Sequence, residues 1–129
     1  MKSYIRFVLI LGIAVLSGPM APAQTPATGR VMREKLAHSQ KILEAILTSK
    51  FTLLESESTA LAAVTELPAW TVLKGPEYQV QSEAFLKALR DLRSAAKERD
   101  LDAAAQRYTE LTMTCFRCHR YMKDRRLAH

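Results

Sequence analysis

The run Cys115-Phe116-Arg117-Cys118-His119 is the stretch of this chain whose residue types and spacing could do chemistry. Two thiols three positions apart, followed at once by an imidazole, form the attachment signature of c-type haem. The thiols add to the haem vinyl groups, and the adjacent histidine becomes the proximal iron ligand. On a helix, offsets of three and four residues return close to one face. Cys115, Cys118 and His119 can therefore meet one side of a planar macrocycle without bending the backbone. The signal names a cofactor, one covalently attached haem c, and leaves the reaction open.

Other chemistries find less support. A zinc site normally needs four ligands; the motif supplies three, and His38 completes the set only if the fold brings it near. A thiol redox pair of the thioredoxin kind wants a βαβ context, which this sequence lacks. Both cysteines lie inside the motif, so none remains for a structural disulfide. The carboxylates, Glu44, Glu55 and Glu57 among them, read as solvated faces, and no glycine-rich phosphate loop or nucleic-acid motif appears. The expectation is a non-enzymatic haem protein, with a haem-free thiol or zinc bundle as the minor alternative.

The motif needs a helix beneath it, and beyond residue 30 the helical period dominates. No Asn-Gly or Asp-Gly hairpin and no sustained alternation argues for strands. The first helix is expected over residues 31–49, with Met32, Leu36, Ser39, Leu43 and Ile46 as its core stripe, widened by Val31, Ile42 and Leu47. After a break at Lys50-Phe51, the second covers about residues 53–67. Leu53, Ala60, Val64 and Leu67 face inward there, and Glu55, Ser56 and Ser58 outward. Pro68 marks its boundary. The long connection AWTVLKGPE (residues 69–77) is too apolar to float free, so it should cap one end of the core, with Trp70 sealing that end or lining a haem edge.

The third helix should span residues 78–99, with Phe85, Leu89, Leu92 and Ala96 inward. Asp100 is the expected N-cap of the fourth, which runs from Leu101 to about residue 123. Its stripe is Leu101, Ala104, Tyr108, Leu111, Cys115, Cys118 and Met122. Both cysteines fall on this buried face, and His119 stands one step, about 100°, to the side. Four amphipathic segments with short connections predict an all-α fold, an antiparallel four-helix bundle over residues 31–129. The haem would sit near the C-terminal end of the last helix, with the first helix as the opposite wall.

The N-terminal segment reads as an export signal. Lys2 and Arg6 precede the apolar run FVLILGIAVL, and Ala21-Pro22-Ala23 offers small residues at the usual cleavage offsets, so residues 1–23 are expected to be removed before Gln24. The apolar run is too short for a comfortable membrane span; the rival is an uncleaved anchor. Residues 24–30 then form a flexible leader. The destination is the periplasm, as a soluble protein. The formal charge of +6 falls by two when Lys2 and Arg6 leave, a mild basic bias and no nucleic-acid footprint. The basic cluster Arg117, Arg120, Lys123, Arg125 and Arg126 is either a solvated last turn that suits the helix dipole or a docking or propionate-facing surface.

A last-helix Cys-x-x-Cys-His in a bundle of four helices resembles the class II c-type cytochromes, the cytochrome c′-like family. The resemblance covers essentially the whole mature chain in helix order and motif position, and at residue level it rests on Cys115, Cys118 and His119. Class I cytochromes c carry the motif near the N-terminus instead. The resemblance implies a periplasmic, haem-bound and non-catalytic protein, with Cys115 and Cys118 as thioether anchors, His119 as proximal ligand and Arg33 as a propionate contact; electron transfer is the leading expectation for its use. It also implies exported redox partner proteins and allows a homodimer. This chain departs from the family in its short link between the first two helices, which leaves the distal residue open.

That distal residue decides the use of the haem. Methionine or histidine at the sixth site gives a low-spin iron suited to electron transfer; Met32 and His38 are the candidates. Leu36 and Ser39 would instead front a five-coordinate iron open to a small gas such as NO or CO, and the third histidine, His129, ends the chain.

Overall fold

Every described stretch with a helical period forms a helix. The computed structural model describes residues 26–68, 70 and 75–127. The expected signal peptide, Gln24, Val72, Leu73 and His129 lie outside the described residues. Four helices follow one another, α1 (Pro26–Leu47), α2 (Phe51–Val64), α3 (Pro76–Glu98) and α4 (Leu101–Leu127). Among the described residues there is no strand, and no helix is long and apolar enough to cross a membrane.

The helix ends follow local chemistry. α1 begins at Pro26, ahead of the expected start at Val31, so residues 26–30 are helical where a leader was expected. A proline in the first turn loses no hydrogen bond, because the first N–H groups of a helix have no partner within it. α3 likewise starts at Pro76, behind Gly75, whose φ of 155° is a conformation that side chains rarely adopt. α1 closes through Ser49 (φ 53°), with Ser49 N–H donating to Ile46 O at 3.1 Å and Lys50 N–H to Ala45 O at 2.8 Å. α3 closes the same way through Arg99 (φ 57°). These paired bonds satisfy the orphan carbonyls of a helix C-terminus. Asp100 then caps α4 as expected, its Oδ1 accepting from Ala103 N–H at 2.9 Å. The Arg99 guanidinium lies 5.6 Å over the Phe51 ring, so both tight turns share one end of the molecule.

α1 packs extensively on α2, α3 on α4, and α2 on α3, whereas α1 and α4 meet least. The core gathers Val31, Ile42, Leu54, Leu61, Leu89, Leu92 and Leu111, all almost fully buried. Each such side chain contributes about 1.5–3 kcal/mol. The expected faces of α3 and most of α4 hold: Phe85, Leu89, Leu92, Ala96, Ala104 and Leu111 are buried.

Two faces are rotated from expectation. On α2 the buried line is Leu54, Ser58, Leu61 and Val64. Ser58, expected to face outward, is buried with its hydroxyl donating to Leu54 O at 2.6 Å, and Leu67 lies past the helix end and exposed. On α1, Leu36, Leu43 and Leu47 are 58%, 40% and 76% exposed, while Val31, Ile42, Ala45 and Ile46 are buried. Its inner line runs Val31, Lys35, His38, Ile42, Ala45, also at 4-3-4-3 spacing but one position away from the leucine row. Cross-helix bonds hold this rotation: His38 Nδ1 donates to Glu57 Oε2 on α2 at 2.7 Å, and the Tyr108 hydroxyl on α4 donates to Ser39 O at 3.1 Å.

The long connection does cap the core. Trp70 is 7% exposed, with ring centroids 5.8 Å from Phe85 and 6.2 Å from Tyr78. The Tyr78 hydroxyl donates to Trp70 O. Truncating a buried tryptophan costs about 3–5 kcal/mol. Trp70→Ala should therefore lower the unfolding free energy by that amount, read as a lower urea midpoint with an unchanged denaturant slope; a loss within about 0.5 kcal/mol, the effect of an ordinary surface change, would mean that the ring seals nothing.

Candidate functional site

α4 carries the Cys-x-x-Cys-His run on continuous helix, as the helical period predicts. Cys115 and Cys118 are free thiols, both half-buried, and Cys115 packs against the core. Cys115 Sγ donates to Leu111 O at 3.5 Å. Burial raises the Cys118 thiol above its usual range, against the opposing pull of Lys35. His119 is exposed. The structure thus sets the two sulfurs toward the interior and the imidazole at its edge.

What faces the sulfurs is a residue that sequence reasoning missed. The Ser39–Tyr108 contact ties α1 to α4. One turn toward the N-terminus on α1 stands Lys35, and two turns toward the C-terminus on α4 stands Cys115. The Lys35 ammonium lies 3.8 Å from the Trp70 ring centroid and 4.1 Å from that of Phe85. Desolvation lowers its pKa to about 8, and it is close enough to Cys115 and Cys118 for their charges to oppose that shift. Among the described residues no carboxylate pairs with it. A buried ammonium normally has a counter-ion; this one has two aromatic faces and two thiols. The signal that could have found it is a lysine four residues from Val31 and seven from Ile42, hidden by the richer leucine row beside it.

The distal candidates separate. His38 is held by Glu57, with Lys41 Nζ 3.4 Å from the other carboxylate oxygen, so it faces α2 and does not join the cysteines. Met32 is half-buried against the core. Leu36 is exposed, and Ser39 is engaged with Tyr108, its hydroxyl 3.2 Å from the phenol oxygen. Arg33 is exposed and runs back along α1 to Gly29. Among the described residues no group of three or more His, Cys, Asp and Glu donors is placed to hold a metal ion, and His38, the fourth ligand a zinc site would need, is committed elsewhere.

Glu57, expected on a solvated face, is only 14% exposed in its side chain. Its hydrogen bond from His38, aided by Lys41 and opposed by burial, holds the carboxyl below its usual 4.5. A carboxyl whose folded pKa is depressed adds stability above its unfolded pKa and loses it as pH falls through the folded value. Glu57→Gln should therefore cost about 1 kcal/mol near pH 6, with the difference from wild type closing as pH falls below 4.5. Thermal melts at stepped pH measure this, and a pH-independent gap would assign the cost to packing.

Two surface depressions lie elsewhere. One is lined by Ser49, Lys50, Phe51 and Arg99 at the tight-turn end, the other by Lys87, Asp91, Glu110 and Arg117 across α3 and α4. The basic residues Arg117, Arg120, Lys123 and Arg125 are exposed, with Arg120 5.8 Å over the Phe116 ring and Arg125 donating to the Tyr121 hydroxyl at 2.7 Å. No family model matches this chain, and no curated protein or solved structure was found to resemble it significantly.

Proposed function

We propose that this chain is an exported c-type haem protein that carries electrons between exported redox partners, built as an antiparallel four-helix bundle of the cytochrome c′ kind. The observation that carries the reading is the Cys115-x-x-Cys118-His119 run on one continuous helix, with both thiols free. The residues present fit a thioether-bound macrocycle. The thiols are unpaired and half-buried, and their charges act on a desolvated amine that has no carboxylate partner among the described residues. Bound haem would supply a one-electron iron couple.

Each residue has a part in this reading. Cys115 and Cys118 anchor the group and His119 donates a ring nitrogen. Trp70, Phe85 and Leu111 keep water from the inner edge. Arg33 remains available to a propionate only by swinging away from α1. The exposed basic turns of α4 offer a surface to an acidic redox partner, and the exposed Leu36, Leu43 and Leu47 row is where a second copy would pack in a homodimer. Export to the periplasm, with removal of residues 1–23, belongs to the same reading.

A five-coordinate, gas-binding protein is the second reading, favoured by the engagement of His38 with Glu57, which takes one distal candidate out of play. One experiment tests both. Coexpression with a cytochrome maturation system should give haem that survives acid–acetone extraction, and the ferrous spectrum with and without CO then sorts them. Sharp low-spin bands indifferent to CO favour electron transfer; a high-spin spectrum that responds to stoichiometric CO favours gas binding.

A further inference from the structure

We propose that Lys35, through its side-chain amine, is the exchangeable sixth ligand of the haem iron, an inference that rests on the haem reading above. Of the side chains that α1 offers, Lys35 is the one whose terminal atom lies among the groups that flank the motif. Its Nζ stands over Trp70 and Phe85 and interacts with both Cys115 and Cys118. His38 gives its ring nitrogen to Glu57, and Met32 is half-buried against the core.

A buried lysine beside a haem could instead neutralise a propionate. The position argues against that. Thioether bonds form at the vinyl edge of the macrocycle, and the propionates hang from the opposite edge. An amine close enough to both cysteines for their charges to act on it would lie toward the vinyl half of a bound haem, at the end of a flexible stem of four methylenes. The electrostatics agree. A counter-ion should favour its charged form, whereas desolvation drives Lys35 toward the neutral amine, down to about 8, and only the neutral amine has a lone pair to give.

Loss of one proton from Nζ to solvent would leave its lone pair free to hold a bound iron, so the state of the site would follow pH. The titratable groups around Lys35 are the Cys115 and Cys118 thiols on α4, which thioether formation removes from titration, and the Tyr78 phenol on α3 across Trp70, which burial pushes upward. The His38–Glu57 pair lies one turn along α1, toward α2. Lys35 is thus a group beside the motif that changes charge near pH 8. Protonation, or the arrival of a stronger ligand, would free the position, which gives the gas-binding reading a gate.

The test compares wild type, Lys35→Ala and Lys35→Arg as ferric haem-loaded proteins from pH 6 to 10, by absorption and electron paramagnetic resonance, with covalent haem confirmed by acid–acetone extraction. Wild type should pass from a high-spin to a nitrogen-ligated low-spin form, with a midpoint at or below about 8. Both variants should stay high-spin over that range, because an arginine keeps the charge but does not deprotonate. Lys35→Ala should also bind added imidazole at least tenfold more tightly at pH 9, where the native amine competes. The arginine variant guards against a folding defect, which circular dichroism would reveal. A low-spin transition that persists in both variants, or a wild type that stays high-spin throughout, overturns the assignment of Lys35 alone. Absence of covalent haem in wild type overturns both this inference and the reading beneath it.

Discussion

Replacing both motif cysteines, Cys115→Ala/Cys118→Ala, should abolish acid–acetone-resistant haem completely, while the polypeptide still folds as four helices. The two thiols are the only cysteines in the chain, so no other thioether can form. Neither carries a structural bond: they are unpaired with each other, and Cys115 Sγ makes only a weak hydrogen bond to Leu111 O. Converting a half-buried thiol to a methyl group costs about 1 kcal/mol or less at each site, which a domain with this core tolerates. Single variants should retain one thioether and a shifted ferrous band, since one vinyl group stays unsaturated. His119→Ala should keep both thioethers and lose the proximal nitrogen, giving a spectrum that added imidazole restores. The measurement is the haem-to-protein ratio after maturation and extraction. A colourless wild type beside a positive cytochrome control would sink the haem reading.

In the haem-free Cys115→Ala/Cys118→Ala background, adding Lys35→Leu should stabilise the fold by about 1–2 kcal/mol at pH 7. The lysine pKa falls from 10.5 unfolded to about 8 folded, a displacement equivalent to about 3 kcal/mol, and the lost contacts with Trp70 and Phe85 offset about 1–2 kcal/mol of that. The sign of the pH dependence follows. With the folded pKa below the unfolded one, the unfolded chain binds more protons between 8 and 10.5, so stability rises with pH across that window. Below 8 the penalty of the buried charge is present in full. The advantage of Lys35→Leu should therefore be largest at pH 7 and shrink toward pH 10, and the thiol-free background removes the cysteine titrations that would overlap. Urea midpoints at pH 7, 8.5 and 10 read this directly. A variant no more stable than its background at pH 7, or a gap that widens with pH, would show that the ammonium is not desolvated.

The cost falls on the haem-free chain, where the amine stands in an apolar corner with thiols for neighbours. On the reading proposed here, haem removes that cost by giving the neutral amine an acceptor.

The helices themselves were readable from local pattern, because their apolar residues recur at a period that no strand can use. The α3 stripe of Phe85, Leu89, Leu92 and Ala96 is buried as expected, and Asp100 caps α4 as its side chain predicts. The rotation of α1 was not readable. Two rows, Met32–Leu36–Ser39–Leu43–Ile46 and Val31–Lys35–His38–Ile42–Ala45, share the same spacing one residue apart. Hydrophobicity alone favours the leucine row, yet Leu36 and Leu43 are exposed and Ile42 is buried. What turns the helix is its polar contacts with two neighbours at once, His38 with Glu57 and Ser39 with Tyr108. Those partners lie 19 and 69 residues away, beyond any local window.

The same division runs through the site. Sequence by itself determined that two thiols and an imidazole lie close to one side of a helix, since offsets of three and four residues do so on any α-helix, and the proposal of haem rests on that spacing. Tertiary structure alone decided what stands opposite. Packing α1 against α2 and α4 placed Lys35 beside Trp70, Phe85 and the two sulfurs and turned His38 toward Glu57. A side chain's neighbours across a helix interface depend on rotation as well as spacing, and rotation is set by all the contacts of the fold together.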